Sequence, residues 1–195
     1  VEFQSPTAAT AYDEQVNMIE TALGNPGIDA VVIAPQQSTS TATLVSSTDK
    51  PVVALDTDFT SDKKACFVGT GNEDAALSGG KAAMEAAKKK GHDAPTAVIL
   101  AGVQGDETHE ARLRGYRSAV EQEGGTVLEV QYTDTMPDKA AAAMEAIIQK
   151  YPGGVDVVLS IGDDMALAAA KVIKDSGNAS YTESVLCGFD GNQSA

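Results

Sequence analysis

With 195 residues, the chain is long enough for one sizeable core or two small ones. It carries 28 Asp+Glu against 14 Lys+Arg, a formal net charge of −14, which argues against a nucleic-acid-binding surface because phosphate binding needs clustered Lys and Arg. No apolar run reaches the roughly 18 residues that a membrane span needs, and a composition 43% hydrophobic and 5% aromatic is that of an Ala-, Val- and Gly-rich α/β protein.

In chain order, short apolar runs of strand length alternate with helical stripes, the pattern of a parallel α/β sheet. Val1–Gln4 reads as the first strand. Tyr12, Val16, Ile19 and Leu23 then fall on one helix face, and Gly24 is a stop signal. Ala30–Ala34, Val52–Leu55 and Cys66–Val68 read as strands, and Gly91 closes the helix that follows them. Ala97–Ala101 is a strand leading into a helix with Leu113, Tyr116 and Val120 as its core stripe, stopped at Gly124–Gly125. Val127–Gln131, Val157–Ile161 and Val185–Phe189 are the remaining strands, separated by the Ala-rich helices Ala140–Lys150 and Met165–Lys174, with Gly177 after the second. Cys66 and Cys187 lie far apart in apolar strands and read as buried small hydrophobes.

The sequence also repeats itself. "VEFQSPT" (1–7) echoes "LEVQYTD" (128–134), "MIETALGNPGIDAVVIAP" (18–35) echoes "MEAIIQKYPGGVDVVLSIG" (144–162), and "VVALDTD" (52–58) echoes "LCGFDGN" (186–192). Similar elements in the same order at a nearly constant offset imply two lobes built on one plan, here 1–69 and 70–195. The second lobe places a strand and a helix ahead of its repeat unit and the first lobe has no counterpart. The expectation is therefore an α/β protein of two Rossmann-like lobes with parallel sheets, truncated at both ends: the first lobe without its first βα unit, the second without its C-terminal return.

In open α/β sheets ligands sit beyond the carboxyl ends of the strands, so charged residues just after apolar runs are the candidates. Asp56 follows "VVAL" and Asp190 follows "LCGF", and the repeat makes them equivalent positions. Each either binds hydroxyls or caps a loop or helix. Asp58 is a further loop carboxylate. "ETHEARLRGYRSAV" (107–120) gathers three arginines. Arg112 flanks the core stripe in the first turn, beside the strand end; Arg114 points away into solvent, and Arg117 flanks the stripe further along. A guanidinium donates several bonds in a fixed fork, which suits it to neighbouring hydroxyls.

Chemistry of other kinds does not appear. His92 and His109 are isolated and lack zinc-ligand spacing. "GTGNED" (69–74) lacks the third glycine of a dinucleotide fingerprint, "LSGGKA" (77–82) lacks the phosphate-loop spacing, and there is no Gly-x-Ser-x-Gly elbow. The reading is a binding protein and not an enzyme, with no cofactor and no metal.

"KPVVALDTD" (50–58), "FVGTGNEDAALSGGKAA" (67–83), "ARLRGYRSAV" (111–120), "GDDMALAAAKVIKDSG" (162–177) and "GFDG" (188–191) occur in one order. Together they resemble the type 1 periplasmic binding proteins, the sugar-binding components of bacterial ABC importers, in the ribose/galactose-binding group. The resemblance spans the chain, and "FQSPTAATAYDEQVNMIE" (3–20) is similar to the rhamnose-type and furanosyl-autoinducer-type branch. It implies a ligand held in a cleft between two lobes, hinge crossovers with one near Gly69–Asn72, and sugar contacts from Asp56, Arg112 and Asp190. It also implies a hinge-region role for Asn72, either tying the crossover or meeting the ligand. The pattern departs in places: Thr57 stands where ribose-binding proteins carry Arg, Gly162 where they carry Asn, and Thr135 or Met136 near a stacking aromatic. Asp163 either replaces the missing Asn or N-caps the following helix, and Gln4 with Ser5 ends a first-lobe strand near the expected site.

The function implied is an extracellular or periplasmic receptor, compatible with a lipoprotein anchor, that delivers a sugar or sugar-like ligand to an ABC permease and acts as a monomer. The alternatives are the effector-binding domain of a lactose-repressor-type transcription regulator, which shares the fold and the "R-x-x-G-F" pattern, and a sensor ectodomain.

Overall fold

A computed structural model describes residues 1–8 and 10–193. The chain divides into two compact units, Val1–Thr70 with Gly105–Thr108, and Gly71–Gln104 with His109–Ala195. The short 105–108 segment is not separable in the sequence by any shift of composition.

The first unit contains helix α1 (Tyr12–Gly24), strand β1 (Val31–Ile33), helix α2 (Ser38–Ser46) and strands β2 (Val52–Leu55) and β3 (Lys64–Val68). Its sheet is parallel, in the order β1-β2-β3. Ile19 of α1, Val45 of α2, Ile33, Val52 and Ala54 of the strands, and Phe59 form its core. The opposite sheet face is apolar and open. The register aligns Val32, Val53 and Cys66, and then Leu55 with Val68, and Val32, Leu55 and Val68 are 63%, 44% and 54% exposed.

The second unit contains α3 (Asn72–Lys89), β4 (Thr96–Ala101), α4 (which runs over Glu107–Gln122), β5 (Thr126–Tyr132), α5 (Pro137–Lys150), β6 (Val157–Ser160), α6 (Asp163–Ser176), a short 3-10 turn and β7 (Val185–Cys187). Its sheet is parallel, in the order β5-β4-β6-β7. All four residues of β6, and all of β4 after Thr96, are buried, as expected of parallel strands covered on both faces. The strand order reverses at β4, with β5 on one side and β6 on the other, the doubly wound switch point where such sheets bind ligands.

The α/β architecture with parallel Rossmann-like sheets is as the sequence implies, and three details are corrected. Val1–Gln4 is not a strand: no ladder pairs it, and Val1 and Phe3 are fully or almost fully exposed. An extended apolar run becomes a strand only when a neighbour takes its backbone bonds. Cys66 is exposed and Cys187 half-buried, because Cys66 points to the open face of edge strand β3. Helix α2, "STSTATLVS", has no place in the sequence reading, since Ser and Thr are weak helix formers; packing of Thr41 and Val45 holds it.

Candidate functional site

In the second unit, the carboxyl ends of β4, β6 and β7 converge on one guanidinium. Arg112 of α4 donates from Nε to Asn72 Oδ1 at 2.9 Å and from Nη1 to the Ile161 carbonyl at 2.8 Å. Nη1 also donates to Asp190 Oδ1 at 3.1 Å. The Phe189 ring lies under the cation, its centroid 3.9 Å from Cζ. The side chain is 13% exposed against 42% for Asp190. Nη2 of Arg112 and Oδ2 of Asp190 have no protein partner among the described residues. The site therefore presents a fixed donor edge beside an open acceptor.

The motif "RLRGY" explains why these groups meet. Gly115 lies so close to α3 that a Cβ there would stand 2.2 Å from the Glu73 carbonyl oxygen. That approach carries Asn72, the first residue of α3, to Arg112. One turn beyond Arg112, the buried Tyr116 hydroxyl donates to the carbonyls of Ser160 at 3.0 Å and Gly188 at 3.2 Å, tying the ends of β6 and β7 together. Burial, with lesser contributions from Cys187 and Asp163, pushes the Tyr116 phenol far above its usual range.

The loop after β7 is shaped by Asp163 and by backbone handedness. Asp190 and Gly191 both have positive φ, 94° and 72°, and reverse the chain so that the Asn192 N–H reaches Asp163 Oδ2 at 2.6 Å. A Cβ at Gly188 would meet Asp163 Oδ1 at 2.2 Å, so the first glycine of "GFDG" makes room for that carboxylate. Asp163 is the first residue of α6 and Gly162 holds the cap position. The N-cap reading of Asp163 is thus corrected, and its buried carboxylate secures the Asp190 loop.

The arginines otherwise part company. Arg114 is exposed, as expected, and is also ion-paired to Glu73 at 2.9 Å; Arg117 is exposed. His109 accepts at Nδ1 from the Val103 N–H at 3.1 Å, fixing the loop after β4. Among the described residues no cluster of His, Cys, Asp or Glu is arranged to hold a metal ion.

The first-unit candidates separate clearly. Asp56 follows β2, is exposed, and has φ 63°, the left-handed region that Asp190 occupies at the equivalent repeat position. Such backbone costs about 1–3 kcal/mol, and its recurrence at both strand ends is a structural match, not a sequence echo alone. The Asp56 carboxylate has no protein partner among the described residues. Asp58 is already engaged, accepting from the Phe59 N–H at 2.8 Å and from Lys64. Gln4 donates to Glu2 at 2.9 Å in an exposed segment without secondary structure.

Phe189, Tyr116 and the Ile161 carbonyl are absent from the sequence-level site. The i, i+4 spacing of Arg112 and Tyr116 was a usable signal for the second; nothing in the residue string reveals the ring stack.

The family model for the periplasmic binding protein domain matches residues 1–195. The chain belongs to this family. Among relatives of this periplasmic binding protein domain, the D-ribose/D-allose-binding protein of Pseudomonas aeruginosa is 24% identical over 193 residues, 94% of this chain and 58% of that protein. The HTH-type transcriptional regulator CelR of Thermobifida fusca is 32% identical over 116 residues, 58% of this chain and 33% of the regulator. An ABC transporter solute binding protein from Agrobacterium vitis, solved with bound D-fucose, superposes with TM-score 0.82 at 23% identity over 98% of this chain and 66% of that one. The domain thus spans less than two thirds of each of these relatives.

Proposed function

We propose that this domain binds a neutral sugar or polyol, and that the whole protein is the solute-binding component of an ABC importer, working in the periplasm or outside the cell. The observation that carries the reading is the paired opening at Arg112 Nη2 and Asp190 Oδ2, at the switch point of the second unit. One sugar hydroxyl donates to the carboxylate while its neighbour accepts from the guanidinium. Local charge compensation between Arg112 and Asp190 favours an uncharged ligand. Asp56, with the same backbone handedness and an open carboxylate, is proposed as a further hydroxyl acceptor; Asn72 and Asp163 act by holding Arg112 and the Asp190 loop. Asp58 and Gln4, already bonded within the first unit, are the least supported. The similarity to the Pseudomonas D-ribose/D-allose-binding protein, which extends over 94% of this chain, supports the reading. Binding, not turnover, is the proposed activity, with the permease as partner and a lipid anchor as one mode of retention.

The test is calorimetric titration of the full-length protein with D-ribose, D-allose, D-fucose, L-arabinose and glycerol. Binding of at least one is expected, and Arg112→Ala or Asp190→Ala should weaken it about 10- to 100-fold, the loss of a charge-assisted bond. A protein that binds none of them refutes the reading. The identity with CelR over 116 residues favours a second one, the effector-binding region of a regulator. The upstream gene sequence separates the two: a leader with a lipid-attachment cysteine for the receptor, a helix-turn-helix for the regulator, and a transmembrane flank for a sensor ectodomain.

A further inference from the structure

The hydrogen bonds at Nε and Nη1 fix where the Arg112 guanidinium lies in its own plane, but each occupies a donor edge. The Phe189 ring holds it from the face, 3.9 Å from Cζ. A face contact orients the plane through the ring quadrupole and leaves every N–H available. Phe189 is anchored in turn, partly buried against the core of the second unit. The next residue, Asp190, turns into the left-handed region at φ 94° and meets the same guanidinium at its edge. Two consecutive residues of the β7 loop therefore grip one cation by face and by edge, and the edge left over is Nη2.

We infer that Phe189 is a positioning residue for ligand binding: its ring sets the plane of Arg112 so that the Nη2 edge is presented to the ligand without consuming a donor. The inference rests on the sugar-site reading for its ligand and on the stack alone for its geometry, so the two are tested apart. In the ligand-free full-length protein, the Arg112 Nε–Hε resonance, assigned with Arg112→Lys, should be shifted upfield by the ring. Phe189→Leu keeps an apolar side chain but no quadrupole; it should return that resonance to the ordinary arginine position and weaken binding of D-ribose, D-allose or D-fucose about three- to tenfold. Phe189→Tyr should restore both signals. A Leu variant that binds with wild-type affinity, or an Arg112 resonance unmoved by Leu, overturns the inference. If the wild type binds no sugar while Leu still moves the resonance and Tyr restores it, the stack is supported and the sugar reading alone fails.

Discussion

Arg112 is held by its Nε and Nη1 atoms and open at Nη2, so its neighbours matter as much as the guanidinium itself. Tyr116 is the least replaceable of them, because its hydroxyl serves the carbonyls of Ser160 and Gly188 at once. Tyr116→Phe leaves both without that donor and should cost about 1–2 kcal/mol, read as a lower urea midpoint. The same tyrosine gives a pH dependence. Burial raises its folded pKa well above the ordinary tyrosine value of about 10, so its contribution is fully present below that value and is lost as pH climbs through the alkaline range. The wild-type urea midpoint should fall from about pH 9 to about pH 11, and Tyr116→Phe should fall less; parallel curves would disprove the assignment. Arg112 and Asp190 were legible in the sequence because strand-end position and residue type are local properties. Phe189 and the role of Asp163 were not, because a ring stack and a bond to Asn192 depend on how a left-handed loop folds back.

Helices α3 and α4 meet through small residues. A Cβ at Gly80 would lie 2.6 Å from that of Ala119, and one at Gly115 would strike the Glu73 carbonyl. Backbone cannot yield as a flexible side chain can, so Gly115→Ala should destabilise by about 2–3 kcal/mol and part Asn72 from Arg112, weakening ligand binding as well. Gly153→Ala, with nothing within 4 Å of the added carbon, is the matched control and should change the melting temperature little. A Gly115→Ala variant as stable as that control would show that the crossing relaxes freely. At this scale the strands were legible because parallel strands buried on both faces read as unbroken apolar runs. Val1–Gln4 shows the limit: the run is apolar enough, but a strand is a property of pairs. Cys66 shows another, since the open face of β3 depends on what covers the sheet and not on the hydrophobicity of the strand. In the 195-residue chain, Cys66 should therefore react first with a thiol reagent. Cys187, whose thiol burial raises, should lag, as mass spectrometry of the labelled peptides would resolve. Equal protection of both would mean that the β3 face is covered in solution.

Across the whole molecule, two electrostatic effects oppose each other as the pH falls. Net charge −14 at neutral pH, with a sequence pI near 4.4, places a surplus of carboxylates on a small surface, and their mutual repulsion destabilises the compact state. Acidification relieves that repulsion. Against it stand carboxyls held below their ordinary range by native contacts: Glu14 by the Thr7 backbone N–H, Asp49 by Lys63, Glu123 by Lys88, Glu129 by Lys150 and Asp175 by Lys171. A depressed folded pKa contributes stability above the unfolded value and loses it as pH falls through the folded one. Unfolded values near 3.8 for Asp and 4.5 for Glu put that loss below about pH 4.5. The repulsion acts over the whole range above it. Asp49 and Asp175 are exposed, and Glu14, Glu123 and Glu129 are half-buried at the surface; such surface contacts are each worth little, and repulsion should dominate until the carboxyls begin to protonate. The melting temperature at low ionic strength should therefore change little from about pH 8 to about pH 6, rise toward about pH 5 as carboxyls first protonate, and fall below about pH 4. Salt separates the two effects, because screening weakens repulsion and ion pairs alike. With repulsion dominant at about pH 8, adding about 0.5 M NaCl should raise the melting temperature and flatten its rise toward about pH 5. Calorimetry at both ionic strengths checks this; a melting temperature that falls on adding salt at pH 8 would show that the surface ion pairs outweigh the charge surplus.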